Sequence, residues 1–158
     1  MSLRLEIDGW QAGIRFSSAH LIPGHVKCHV LHGHTYAIHL RIYGEKNTHG
    51  FLIDFSEIKS VLKSIAYQLD HKVLVPKANK AFTVENNEIH ASCNNKKYIF
   101  PFQDCVILPI DNVTAENLAE YILSEVLKKI HLPLTISSLE IGVDEGVGQG
   151  AWIKKKVC

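Results

Sequence analysis

Residues 31–44 read LHGHTYAIHLRIYG, and their alternation decides what must surround them. Successive side chains of an extended strand point to opposite faces. His32, His34, Tyr36, Ile38, Leu40 and Ile42 therefore share one face, and Thr35, His39 and Arg41 share the other. The apolar run predicts the buried side of a sheet, with the two histidines continuing that side toward the strand's start. Upstream, QAGIRFSSAH (11–20) alternates too, which predicts a second strand with Ile14, Phe16, Ser18 and His20 on one face. A turn at Pro23 and Gly24 separates the two strands. Antiparallel pairing of these strands brings three imidazoles together: His20, His32 and His34. A lone strand histidine is more often an ordinary hydrogen-bonded side chain than a ligand, so it is the convergence of three that favours a metal. Three histidines with an open fourth position describe a catalytic zinc site, whereas a structural zinc takes four protein ligands. Imidazole also suits iron, copper and nickel.

Cys28 stands four residues before His32 and next to His29. It either closes the metal site as a fourth ligand or serves as a nearby thiolate in proton chemistry, and its neighbours favour the second role. Downstream, GFLIDF (50–55) reads as a short strand, and Ser56 as the N-cap of a helix carrying Ile58, Val61, Leu62, Ile65 and Leu69. That helix ends near LDH (69–71), where Asp70 and His71 form a carboxylate–imidazole pair suited to general acid/base work. In the segment 77–110, VENNEI (84–89) and CNNKKYIF (93–100) read as hairpins, because Asn-Asn tolerates positive φ. Thr114 is the predicted cap of a second helix with Leu118, Tyr121, Ile122 and Val126, stopped around Pro133. Glu116, in its first turn, is favoured by the helix dipole and is a secondary site candidate. In SSLEIGVDEG (137–146), Leu139, Ile141 and Val143 alternate, and Glu145 takes the next position on that apolar face. An acid there costs desolvation unless a cation or hydrogen-bond donor meets it. Glycines 146, 148 and 150 make no phosphate-binding fingerprint, since no helix follows them.

A chain of 158 residues predicts one domain spanning 1–158. A net charge of +1 with scattered Lys and Arg leaves no footprint for nucleic acid. No apolar run approaches the roughly 20 residues of a membrane helix, and no basic, then apolar, leader is evident, so a cytoplasmic protein without membrane partners is expected. The 4 cysteines lack CxxC spacing, and reduced thiols are expected, with Cys93, Cys105 and Cys158 structural or incidental.

Taken in order, FSSAH, CHVLHGHTY, GFLIDF, LDHKVL, TAENLAEYI and IGVDEG resemble the 6-pyruvoyltetrahydropterin and 6-carboxytetrahydropterin synthase family over residues 16–146. The resemblance implies an α+β tunnelling fold: a four-stranded antiparallel sheet with two helices on one face, whose sheets join into a barrel. It implies a homohexamer with active sites at subunit interfaces. By the same resemblance, His20, His32 and His34 bind zinc, Cys28, Asp70 and His71 transfer protons, and Glu145 anchors a pterin ring. Thr114 and Glu116 of the TAEN stretch are further substrate-binding candidates. Three residues between Cys28 and His-Gly-His look like the carboxypterin branch of the queuosine pathway, whereas mammalian pyruvoyl synthases have a longer gap, and a third branch replaces the cysteine with an upstream glutamate. Val75, Val113 and Gly146 depart from the family's usual Asn, Pro and Thr, and the 77–110 segment is longer than in compact bacterial members. The implied activity is a zinc-dependent lyase reaction of a small pterin triphosphate, 7,8-dihydroneopterin triphosphate, giving 6-carboxy-5,6,7,8-tetrahydropterin, acetaldehyde and triphosphate. The alternatives are 6-pyruvoyltetrahydropterin synthase activity on the same substrate, a noncatalytic pterin- or purine-binding module, and a structural metalloprotein closed by Cys28.

Overall fold

A computed structural model describes residues 2–157. The chain runs β1 (Leu3–Ile7), α1 (Gly9–Ala12), β2 (Arg15–His20), β3 (His32–Gly44), α2 (Phe55–Leu69) and β4 (Lys72–Pro76). There follow β5 (Phe82–Glu85), β6 (Glu88–Cys93), β7 (Lys96–Pro101), a 3-10 turn (Phe102–Asp104), β8 (Cys105–Leu108), α3 (Ala115–Lys129), β9 (Ile136–Glu145) and β10 (Gly150–Lys156).

The main sheet grows from β3. One edge of β3 pairs with β9, from Tyr36↔Glu145 to Gly44↔Ile136. Its other edge is shared: β1 takes Leu40 to Gly44, and β2 takes His32 to Ala37. The corner between β1 and β2 is α1, so the strand expected from residue 11 begins only at Arg15. Asp8 caps that short helix by accepting from the Gln11 N–H at 3.0 Å, and Gly13 ends it at φ 67, a conformation glycine adopts without a Cβ penalty. The expected face nevertheless survives, because Ile14, Phe16, Ser18 and His20 are all buried.

The sheet exceeds the expected four strands. β10, β9, β3 and β2 run antiparallel, but β4 and β8 add in parallel beyond β2, and β1 makes the seventh strand. The helix α2 carries the chain back so that β4 leaves alongside β2 in the same direction. Both longer helices bury one stripe: Ile58, Leu62, Ile65 and Leu69 of α2, with Leu118, Ile122 and Val126 of α3, join one core with Phe16, Ile38, Leu40, Ile42, Leu139, Ile141 and Val143. Each such side chain contributes roughly 1.5–3 kcal/mol on full burial. GFLIDF is not a strand: Leu52 and Ile53 bury their side chains from a bend, and the N-cap of α2 is Asp54, not Ser56. The Asp54 carboxylate accepts from the Ser56 N–H at 2.6 Å.

Most of the segment after residue 80 forms a separate three-stranded antiparallel sheet, β5-β6-β7. Its hairpins turn on Asn86–Asn87 and Asn94–Asn95, all with positive φ, which matches the right-handed twist of the strands they join. This small sheet packs its Ala91 and Cys93 against Leu21, with Phe82, Tyr98 and Phe100 around them. Cys28, Cys93 and Cys105 are free thiols, and Cys158 lies outside the described residues. Among the described residues no helix is long and apolar enough to cross a membrane.

Candidate metal and substrate site

The β2–β3 register makes His20 and His32 direct cross-strand partners and places His34 opposite Ser18. Residues paired across a ladder, and those two apart along a strand, share a face. The potential ligand atoms of His20, His32 and His34 accordingly lie within 4.8 Å of one another. Backbone carbonyls set two of the three tautomers. His20 Nδ1–H donates to the Val113 carbonyl at 2.8 Å, and His32 Nδ1–H donates to the Val30 carbonyl at 2.7 Å. Each Nε2 is left with its lone pair free, the arrangement that orients metal-binding histidines. His20 Nε2 is buried with no protein partner. Burial lowers the His20 pKa to about 4, against the Val113 hydrogen bond, which raises it, and with the help of His32 and His34, which lower it further. The imidazole is thus held neutral, as a ligand must be. An orphaned buried lone pair beside two further imidazoles fits a borderline divalent cation such as zinc.

Val113 reaches His20 because α3 begins there. Thr114 caps that helix as expected, its hydroxyl accepting from the Asn117 N–H at 3.3 Å. The hydroxyl is thereby engaged in capping, and Glu116 is exposed in the first turn.

Glu145 ends β9 as the cross-strand partner of Tyr36, two residues beyond His34. The carboxylate therefore belongs to the histidine face, with Tyr36 between it and His34, whose ring centroid lies 5.5 Å from that of Tyr36. Burial first, then the Glu145 carboxylate, push the Tyr36 phenol far above its ordinary pKa. The Tyr36 hydroxyl is buried and meets no partner at full hydrogen-bonding geometry, although Glu145 is near enough to act on it. Alternation places Tyr36 on this face, but an aromatic in an apolar run reads as core and carries no functional signal in the sequence. The Val113 carbonyl carries no side-chain signal at all.

Asp70 and His71 are joined, His71 Nδ1–H donating to Asp70 Oδ2 at 2.8 Å. The other carboxylate oxygen accepts from the Ser17 N–H at 2.7 Å, and the His71 N–H donates to the Ser17 carbonyl at 2.7 Å. The Ser17 N–H, and then His71, hold the Asp70 carboxyl below the usual carboxylate range. His71 is 84% exposed. It opens onto a groove of about 560 Å³ that Ser17, Ser18, Ala19, Gly33, His34 and Thr35 also line. Ser17, Ala19, Gly33 and Thr35 alternate with His20, His32 and His34 along the two strands, and the groove reaches both His71 and His34. Cys28 is half-buried in the loop between β2 and β3, which leaves and re-enters the sheet at the His20↔His32 pair.

Residues 11–156 match the family model described as 6-pyruvoyl tetrahydropterin synthase. A protein of Methanocaldococcus jannaschii, provisionally named 6-carboxy-5,6,7,8-tetrahydropterin synthase, is 38% identical over 97% of each chain. The 6-carboxy-5,6,7,8-tetrahydropterin synthase of Haemophilus influenzae is 31% identical, over 80% of this chain and 85% of its own. Among solved structures, the Plasmodium vivax 6-pyruvoyltetrahydropterin synthase superposes with a TM-score of 0.91 at 29% identity, covering 99% of both chains.

Proposed function

Because the chain belongs to the 6-pyruvoyl tetrahydropterin synthase family, we propose that it is a zinc-dependent lyase converting 7,8-dihydroneopterin triphosphate and water to 6-carboxy-5,6,7,8-tetrahydropterin, acetaldehyde and triphosphate. The observation that carries this reading is the trio itself: three converging imidazoles, two with Nδ1 committed to backbone carbonyls, and one buried Nε2 with no protein partner. His20, His32 and His34 would hold the zinc, whose Lewis acidity makes protons next to the substrate's side-chain oxygens removable near neutral pH. Cys28 takes and returns protons at its thiolate. Asp70 holds the His71 Nδ1–H, which leaves Nε2 of His71 to carry a proton to or from substrate. Glu145 accepts hydrogen bonds from the N–H groups of the pterin ring and so fixes its orientation over the histidines. Thr114 and Glu116 stand at the helix start behind His20 and would act through the placement of Val113.

His71 is held in one orientation yet almost wholly exposed, and this supports an assembly in which His71 of one copy serves the histidines of another. Such a homohexamer would close the unpaired edges of β8 and β10. We place the protein in the cytoplasm and in the supply of deazapurine precursors on the same reading. The pyruvoyl alternative draws on the near-complete superposition with the Plasmodium enzyme. One experiment separates them: zinc-loaded protein is incubated with 7,8-dihydroneopterin triphosphate and the carbon products are identified. Acetaldehyde with a carboxypterin supports the proposal; an intact pyruvoyl side chain supports the alternative; no turnover would leave a binding module or structural metalloprotein.

A further inference from the structure

We propose that His25 is a positioning residue for Cys28, its imidazole standing where a turn would ordinarily use asparagine or aspartate. The inference rests on the proton-transfer role given to Cys28 above. Between His20 and His32 the chain makes an excursion of eleven residues whose turn, at 26–29, presents Cys28. His25 Nδ1 accepts from the Lys27 N–H at 3.2 Å and from the Cys28 N–H at 2.9 Å. His29 Nδ1–H donates to the His25 carbonyl at 2.9 Å. On the other side of the thiol-bearing residue, the Cys28 carbonyl accepts from the Ile22 N–H at 2.7 Å. Both backbone polar groups of Cys28 are therefore held, and with them the direction of its Cα–Cβ bond.

Packing does not account for His25, because the residue is exposed. Its side chain instead points back into its own turn. Both bonds use the Nδ1 lone pair, so the proton of neutral His25 sits on Nε2, the reverse of His20 and His32. Capture of the N–H groups two and three residues ahead is what an Asn or Asp side chain does in an Asx turn. Nδ1 of histidine is as many bonds from Cα as Oδ1 of asparagine. His25→Asn therefore keeps an acceptor in place, His25→Gln moves it one bond too far, and His25→Ala removes it.

The test uses zinc-loaded protein with two readouts: turnover of 7,8-dihydroneopterin triphosphate, and the rate at which iodoacetamide alkylates Cys28, followed by peptide mass spectrometry. His25→Ala should lower kcat about tenfold, the scale of losing two such bonds, with KM moved less than about twofold. Cys28 alkylation should quicken several-fold, while zinc content stays put and the melting temperature falls by no more than a few degrees. His25→Asn should restore both rates to within about twofold of the wild type, and His25→Gln should not. Wild-type kcat and alkylation in His25→Ala, or an Asn variant as impaired as the Ala variant, would overturn the proposal. Cys28→Ala is the control on the underlying reading. Full turnover in Cys28→Ala, with Cys28 alkylation in the residue-25 variants still tracking the side chain there, would support the turn and overturn the catalytic role of the thiol instead.

Discussion

In the metal-free chain, stability should depend on pH through His20 more than its neighbours suggest. Its folded-state pKa is lowered from 6.5 to about 4 by burial, against the Val113 carbonyl and aided by His32 and His34. The unfolded chain takes up a proton on this ring as pH falls below 6.5, whereas the folded chain resists until about 4. The contribution is therefore fully present above pH 6.5 and is lost progressively as pH falls toward the folded value. The gap between 6.5 and about 4 corresponds to about 3 kcal/mol, of which about 2 kcal/mol is gone by about pH 5. Urea unfolding of chelator-stripped wild type and His20→Gln, each at pH 7.5 and pH 5, isolates the effect, since the remaining carboxylates and histidines titrate in both. The wild type should lose about 2 kcal/mol more than the variant between the two conditions. Equal losses would mean that the ring is not held neutral by burial, and the argument for an orphaned ligand atom would fall with it.

His32→Ala and His34→Ala should each lose the zinc by elemental analysis, whereas Cys28→Ala should retain it and lose turnover by roughly two or more orders of magnitude; zinc lost from Cys28→Ala would favour the closed structural site. Glu145→Gln should weaken pterin binding by about 2 kcal/mol in calorimetric titration. Glu140→Gln, whose carboxylate faces Arg41 and Lys154, should leave pterin affinity unchanged, and a larger loss there would refute the assignment of faces. Asn87→Ala, at φ 64, should lower thermal stability by about 1 kcal/mol while Asn87→Gly does not; equal melting temperatures would remove the role claimed for that turn.

Alternation made the trio legible. Once LHGHTYAIHLRIYG is a strand, His32 and His34 must share the face of Ile38 and Leu40, and antiparallel pairing with a strand ending at His20 leaves little else for three imidazoles to do. Glu145 followed from the same rule on β9, and the Asn-Asn hairpins followed from φ tolerance. What failed was local and competitive. Asp54 and Ser56 are both good caps two residues apart, and the choice fell to Asp54 because Leu52 and Ile53 bury their side chains just before it. The corner at α1 was hidden because Ile14 and Phe16 keep their strand face while Gly9 presses on the backbone of Ile38, leaving no room for a side chain. β4 and β8 have five and four residues, too few for a period to declare itself, and their parallel pairing depends on where α2 sets the chain down.

His71 shows how far such reading reaches. The sequence offers an Asp-His dipeptide, which is common by chance; the structure puts His71 at φ 56, a left-handed conformation that costs a non-glycine residue of order 1 kcal/mol or more. Three hydrogen bonds hold it there: its N–H to the Ser17 carbonyl, its Nδ1–H to Asp70, and Asp70 in turn to the Ser17 N–H. A helix end needs no such arrangement to reach β4, so the strain points to the ring's orientation as what is being kept. That ring is almost wholly exposed, in a groove that His34 also lines. An oriented, solvent-facing imidazole is what a site shared between copies would use, and its exposure is the physical ground for the assembly proposed here.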